Sequence, residues 1–153
     1  MYRFFLRLYF FDEARARDST QDLFVKVLEK PGLFDTTRVF STWLYSVATN
    51  LFRNEIRNEK RRREILSQRV QTEHSVWPEM AGTMDRAVFD RAFQEVFEKL
   101  NTDQQLLITL RFQHEHSVVE IASILGIAEG TVKSRLFYLT KMLAEQMKAY
   151  NPM

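Results

Sequence analysis

Phe40, Trp43, Leu44, Val47, Ala48, Leu51 and Phe52 return at the 3.6-residue period of a helix and form one apolar face. The opposite side carries Thr42, Ser46, Thr49, Asn50, Arg53 and Arg57, and the helix runs on into Lys60-Arg61-Arg62-Arg63. Upstream, Leu23, Val27 and Leu28 fall at i, i+4 and i+5 behind Asp18, with Gln21 three residues after that cap, so the spacing predicts a helix over 19–29. Lys30-Pro31-Gly32 ends it, because proline breaks the hydrogen-bond ladder and glycine accepts a turn. A loop through Phe34 and Arg38 leads to the long helix. The apolar stretch 1–11 is interrupted by Arg3 and Arg7, is too short to span a bilayer and lacks a small-residue cleavage site, so it reads as a core helix.

Periodicity fades between 67 and 84, where Thr72, Ser75, Pro78 and Gly82 mark a flexible linker with a helical start and with Trp77 and Met80 free to dock. A second domain, 85–150, opens on the stripe Val88, Phe89, Ala92, Phe93, Val96, Phe97 and Leu100. Thr102 with Gln105 forms a capping box for the next helix, which buries Leu106, Leu107, Leu110 and Phe112.

Residues 117–147 carry the most specific local pattern. Ser117 and Glu120 form a second capping box; Ile121, Ala122 and Leu125 face inward, and Ala122 is small where two helices would cross. Gly126 supplies the turn, Ile127 plugs the corner, and Val132, Leu136, Leu139 and Leu143 continue the inner face. Thr131, Lys133, Ser134, Arg135, Phe137, Tyr138 and Lys141 point outward. These are the groups a major-groove reader uses: Arg and Lys for guanine edges and phosphates, hydroxyls for either, an aromatic for a thymine methyl. A plain helical hairpin would share the basic second helix but not the ordered cap, small residue, turn glycine and corner isoleucine.

Composition narrows the picture further. With only 4 Gly and 3 Pro there are too few turn-formers for a β-sandwich or barrel, and the fold class is all-α: two small helical domains, 1–66 and 85–150, joined by the 67–84 linker. Cysteine is absent, which excludes disulfides and thiolate metal sites and points to a reducing, intracellular setting. The glycines do not cluster into a phosphate-binding loop. The net charge of +2 hides a pattern, since 40–63 holds six basic and two acidic residues, 130–148 four and one, and the intervening 64–99 four and seven. Two basic segments separated by an acidic one give two places to hold a polyanion.

The block Phe40-Ser41-Thr42-Trp43-Leu44-Tyr45-Ser46-Val47-Ala48-Thr49-Asn50-Leu51, followed by Arg53 and the arginine run, resembles the promoter-melting region of bacterial sigma factors. Thr20-Gln21-Asp22-Leu23-Phe24 resembles their polymerase clamp-docking stretch. Leu125-Gly126-Ile127 with Gly130-Thr131-Val132-Lys133-Ser134-Arg135-Leu136 resembles their −35-reading region. The order and spacing match the extracytoplasmic-function group of the sigma-70 family, over all but the extreme ends and the linker.

The resemblance implies a non-enzymatic initiation factor that binds core RNA polymerase at its clamp and flap, holds duplex and single-stranded promoter DNA, and answers to an anti-sigma factor. It implies a bacterial cytoplasmic location, or retention at the membrane by that anti-sigma factor, with no stable insertion of its own and no cofactor or metal. Its −35 contacts would be Thr131, Lys133, Ser134, Arg135, Phe137, Tyr138 and Lys141. Its −10 contacts would be Phe34, Arg38, Phe40, Trp43, Asn50, Arg53, Arg57, Lys60 and Arg61, with the loop 34–39 resembling the pocket for a flipped base. Trp43 lies on the apolar stripe, which favours core packing over base stacking. Ser46 and Val47 stand where housekeeping relatives carry a tryptophan pair, implying weaker and more sequence-strict melting.

Polymerase docking falls to Asp22, Leu23 and Lys26, although Val25 and Lys26 replace the Gln-Glu usual in the family and reverse a charge. Ala128 stands where the recognition helix usually has a better N-cap, a loss worth about 1 kcal/mol. One further helix of the family's usual N-terminus would precede Met1. The alternative is a helix-turn-helix regulator that binds duplex DNA without polymerase, which leaves the N-terminal block unexplained. An enzyme would need clustered carboxylates or a nucleophile with its base, and His114-Glu115-His116 has no further ligand run beside it to make a metal site.

Overall fold

A computed structural model describes residues 1–66 and 84–148, and the chain divides into two compact units. Among the described residues every regular element is helical. The first unit is built on α1 (Tyr2–Leu8), α2 (Glu13–Glu29), a 3-10 turn (Pro31–Leu33) and α3 (Phe40–Leu66). The second is built on α4 (Met84–Glu98), α5 (Thr102–Ile108), a π-helical turn (Thr109–Gln113), most of α6 (Val118–Leu125) and α7 (Glu129–Lys148).

In the first unit α1 buries Phe4, Phe5 and Leu8, as its apolar pattern requires. Phe4 meets Phe5 and Tyr45 edge-on, each at 5.4 Å, and Tyr9 meets Phe52 at 5.3 Å. Such pairs add about 0.5–1.5 kcal/mol each beyond the area they bury. Phe10 and Phe11 then turn the chain with φ of 53° and 65°, where a Cβ is strained. The Phe11 amide holds the Leu6 carbonyl at 2.7 Å, and the Arg7 guanidinium lies 5.6 Å from the Phe11 ring.

α2 starts six residues before the predicted position. Asp12, not Asp18, is its N-cap and accepts from the Arg15 amide at 3.0 Å. The first turns have only Ala14 and Ala16 as apolar residues, too little for a periodic signal, yet Ala16 is fully buried. Lys30 and Pro31 end the helix as expected. Leu23 packs into the core while Leu28, placed inside by its spacing, is 78% exposed.

The polar side predicted for α3 is also corrected. Thr42, Ser46 and Thr49 are buried along with Trp43, Leu44, Ala48 and Phe52. The first half of this helix is enclosed on more than one side, so burial no longer follows one stripe. The Ser46 hydroxyl donates to the Trp43 carbonyl at 2.6 Å, whereas the buried Thr49 hydroxyl has no hydrogen-bond partner among the described residues. Phe40, on the predicted inner face, is half-exposed.

In the second unit Ala92, Val96, Phe97 and Leu100 form the buried part of the α4 stripe, while Val88 and Phe89 remain exposed. The capping box of α5 is Asn101 with Gln104, one residue earlier than predicted. Gln105 is instead buried and donates to the Phe97 carbonyl at 3.2 Å, tying α5 to α4. Leu106, Leu107, Ile108 and Leu110 fill the core, but Phe112 is exposed, because the π turn shifts the helical phase before it is reached. Trp77, Met80 and the 67–83 part of the predicted linker lie outside the described residues.

Candidate nucleic-acid interface

In the second unit the local chemistry around α6 and α7 fixes a presentable helix. The Ser117 amide donates to Glu120 Oε2 at 2.7 Å and the Glu120 amide to Ser117 Oγ at 3.2 Å, the reciprocal pair of a capping box. These bonds hold the Glu120 carboxyl below its ordinary pKa. Ile121, Ala122, Ile124 and Leu125 are buried. Gly126 takes φ +68°, and the Ile127 amide closes the helix end on the Ala122 carbonyl at 3.1 Å. Ile127 is half-buried at the corner.

α7 is anchored through Val132, Leu139 and Leu143. Lys133, Ser134, Arg135, Phe137, Tyr138 and Lys141 are exposed and Thr131 is half-buried. Phe137 and Tyr138 form a T-shaped pair at 5.4 Å, 64% and 69% exposed. Ser134 Oγ donates to the Thr131 carbonyl at 3.1 Å. Ala128 precedes α7 and offers no capping oxygen; Glu129 in the first turn partly offsets this through the helix dipole. A helix about 10–12 Å across matches a major groove about 12 Å wide.

The loop before α6 is pinned by Arg111, whose Nη1 donates to the His116 carbonyl at 3.0 Å, and Glu115 sits there at φ 53°. Burial, then the neighbouring His116, lowers the His114 pKa from 6.5 to about 4. Burial also lowers His116, against the opposing pull of Glu120 at 3.8 Å. Among the described residues no group of three metal-capable side chains occurs.

In the first unit Phe34, Phe40 and Trp43 form an aromatic cluster, with ring centroids 5.1 Å (Phe34–Trp43), 5.4 Å (Phe34–Phe40) and 5.7 Å (Phe40–Trp43). Trp43 is buried, so its contribution is to floor the cluster; the accessible rings are Phe40 and, in part, Phe34. Asp35 Oδ1 accepts from the Thr37 amide at 2.9 Å and from the Thr37 hydroxyl at 2.5 Å, which shapes the loop and lowers the Asp35 pKa. The Arg38 amide closes on the Asp35 carbonyl at 3.0 Å. Along α3, Asn50, Arg53, Arg57, Lys60 and Arg61 follow at i, i+3, i+7, i+10 and i+11; Arg53 is half-buried and the others exposed.

The sequence missed a polar network that joins α2 to α3 behind this track. The Tyr9 hydroxyl lies 2.9 Å from Ser19 Oγ and donates to Glu55 Oε2, which also accepts from Ser19 at 3.1 Å. Arg15 Nη2 reaches Glu55 Oε1 at 3.2 Å and Glu59 Oε1 at 2.6 Å, with its guanidinium 4.3 Å from the Tyr9 ring. Burial, then the bond to Glu55, raises the Tyr9 pKa above its ordinary 10 and keeps the hydroxyl protonated. Glu55 lies 36 to 46 residues from Tyr9, Arg15 and Ser19 in the chain, and no local pattern joins it to them.

On α2, Asp22 and Lys26 are exposed, but Leu23 is fully buried and cannot meet a partner. Phe24, Val25 and Leu28, 45%, 42% and 78% exposed, are the accessible apolar side chains of this helix, with Phe24 and Leu28 on the far side from Asp22 and Lys26.

Two family models match the chain, Sigma-70 region 2 over residues 1–62 and Sigma-70, region 4 over residues 90–137. The chain is similar to the ECF RNA polymerase sigma factor SigL of Mycobacterium tuberculosis, 33% identical over 146 residues that cover 94% of this chain and 80% of SigL. It is also similar to the ECF RNA polymerase sigma factor SigW of Bacillus subtilis, 32% identical over 143 residues covering 87% and 75%. Among solved structures it resembles the sigma factor RpoE of Bartonella quintana, determined in complex with the anti-sigma factor NepR. That match has a TM-score of 0.77 and 26% identity, over 96% of this chain and 89% of that one.

Proposed function

Because this chain belongs to the sigma-70 family, within its extracytoplasmic-function group, we propose that it joins core RNA polymerase and directs initiation from promoters it reads at two elements. The observation that carries this is the presence of sigma regions 2 and 4 in one chain, each with a basic helical surface. α7 enters the major groove of the −35 element, with Arg135 and Lys133 on base edges or phosphates, Thr131 and Ser134 on either, and Phe137 and Tyr138 against thymine methyls. Lys141 lies one helical turn beyond and meets the backbone.

The first unit takes the −10 element. Phe34 and Phe40 stack or house an extruded base over the floor made by Trp43. Arg38 and, further along α3, Asn50 meet neighbouring nucleotides, and Arg53, Arg57, Lys60 and Arg61 follow the phosphates. The exposed flank of α2 that carries Asp22 and Lys26 docks on the polymerase clamp beside the outward Val25, with Leu23 holding the helix from behind. The factor makes no bond itself; bond formation belongs to the polymerase.

An anti-sigma factor is the expected restraint, by analogy with the solved complex of the Bartonella quintana relative. No helix among the described residues is long and apolar enough to cross a membrane. Membership of the family supports cytoplasmic action, or retention at the membrane through an anti-sigma factor, as the proposed location.

The test is promoter-dependent transcription with core polymerase. The expected result is co-purification with core and initiation at defined start sites. Duplex binding without either would replace this reading by that of a polymerase-independent regulator.

A further inference from the structure

α3 outlasts the core that holds its first half. Beyond Phe52 only Arg53, Glu55, Ile56 and Glu59 keep partial burial, and every residue from Lys60 to Leu66 is exposed. This projecting segment holds six bases and three acids, Glu55, Glu59 and Glu64. Glu55 and Glu59 stand at i and i+4, on a different side of the helix from Arg53, Arg57, Lys60 and Arg61, whereas Glu64 follows Lys60 by four residues on the basic side. Opposite sides of a helix lie about 10–12 Å apart. That is close to one screening length at about 0.1 M salt. Two unneutralised carboxylates there would weaken the field that a phosphate chain meets on the basic side.

Both carboxylates are held by one cation from another helix. Arg15 of α2 bridges Glu55 at 3.2 Å and Glu59 at 2.6 Å, and its guanidinium is seated over the Tyr9 ring at 4.3 Å. Tyr9 and Ser19 hydroxyls occupy the other oxygen of Glu55. Arg63 is the alternative partner of Glu59, but at 3.9 Å it makes the longer contact. The Arg15, Glu55 and Glu59 side chains are 30%, 36% and 28% exposed, so the ion pairs contribute little to folding. Their arrangement has a second effect, on the charge the helix displays.

We propose that Arg15 is a positioning residue for the single-strand track, holding Glu55 and Glu59 against α2 and offsetting part of their charge, which strengthens the positive field that the basic side of α3 presents to DNA. The role rests on the −10 reading above. It makes no contact with nucleic acid and acts through the two carboxylates.

The test uses the full chain and a fluorescein-labelled, random-sequence DNA single strand of roughly 20 nucleotides, several binding sites long. Arg15→Ala is expected to weaken binding about tenfold at low salt, with the loss shrinking as salt screens the freed acids. Adding Glu55→Gln and Glu59→Gln to Arg15→Ala is expected to restore affinity to within about threefold of the parent, since glutamine keeps the acceptor and volume but carries no charge. Arg15→Lys, which keeps the cation without the stacked two-carboxylate reach, falls between. An unchanged Arg15→Ala protein, or a triple variant as weak as Arg15→Ala alone, overturns the proposal, the latter showing that Arg15 only supports the fold. A parent chain with no salt-dependent binding overturns the single-strand reading itself, and the role of Arg15 with it.

Discussion

The two units reach a basic surface by opposite routes. In the second, the ends of the helix pair are set by neighbours in sequence, Ser117 with Glu120 and Gly126 with Ile127, and Val132, Leu139 and Leu143 then dock α7 on α4 and α5. In the first, the track on α3 is placed by residues distant in the chain, with Tyr9, Arg15 and Ser19 gripping Glu55 and Glu59. A surface made by local rules depends on a few backbone positions. One made by tertiary contacts depends on the core and on charge balance.

The sharpest way to break the comparison is a core truncation in the first unit. Phe52 is 1% exposed and meets Tyr9, so Phe52→Ala is expected to cost about 3–5 kcal/mol by chemical denaturation. It should abolish transcription although no residue of the track has changed. A smaller effect is expected from Arg135→Ala, which should weaken −35 duplex binding by about 1–3 kcal/mol. Measured beside random duplex, an equal loss on both would make Arg135 a phosphate contact rather than a reader of bases.

Gly126→Ala tests the local route directly. At φ +68° nothing lies within 4 Å of an added Cβ, so the cost is backbone strain alone, about 1–2 kcal/mol in a urea titration. A neutral result would show that the turn relaxes and that the helix pair does not depend on it.

The gentlest probe is pH. Between 6.5 and about 4 an unfolded chain binds a proton at His114 that the folded chain refuses, so stability falls as pH drops through that window. His116, also lowered by burial, adds in the same direction. Glu120, held below its ordinary pKa, loses its stabilising charge as pH falls further. Acid titration followed by melting should therefore lower the transition of the second unit, and His114→Gln should flatten the slope.

The same contrast explains what could be read from the sequence. The capping box at Ser117, the Gly126 turn and the outward set on α7 follow local stereochemistry, which a linear pattern records. The α2 start was misplaced because Glu13 to Asp18 offers alanine and charge rather than a stripe, and Asn101 was missed as a cap because Thr102 and Gln105 mimic one a residue later. Thr42, Ser46 and Thr49 looked like a solvated face because they are polar, whereas the fold encloses that turn of helix on more than one side. Leu23, a docking candidate by resemblance, is buried and supports the exposed residues beside it, while Trp43 is buried in keeping with its place on the apolar stripe. Arg15 had no sequence signal, since its partners are 40 and more residues away.

The π turn at Thr109–Gln113 carries a consequence for comparing this chain with its relatives. A π turn is an α-helix that has taken in one extra residue without breaking. A relative whose α5 continues as a plain α-helix reaches the same α6 with one residue fewer, and an alignment should open its gap within 109–113 rather than in the histidine loop. Placing the gap in the loop instead would shift only the residues between the two positions, whereas omitting it would slide the whole of α6 and α7 by one.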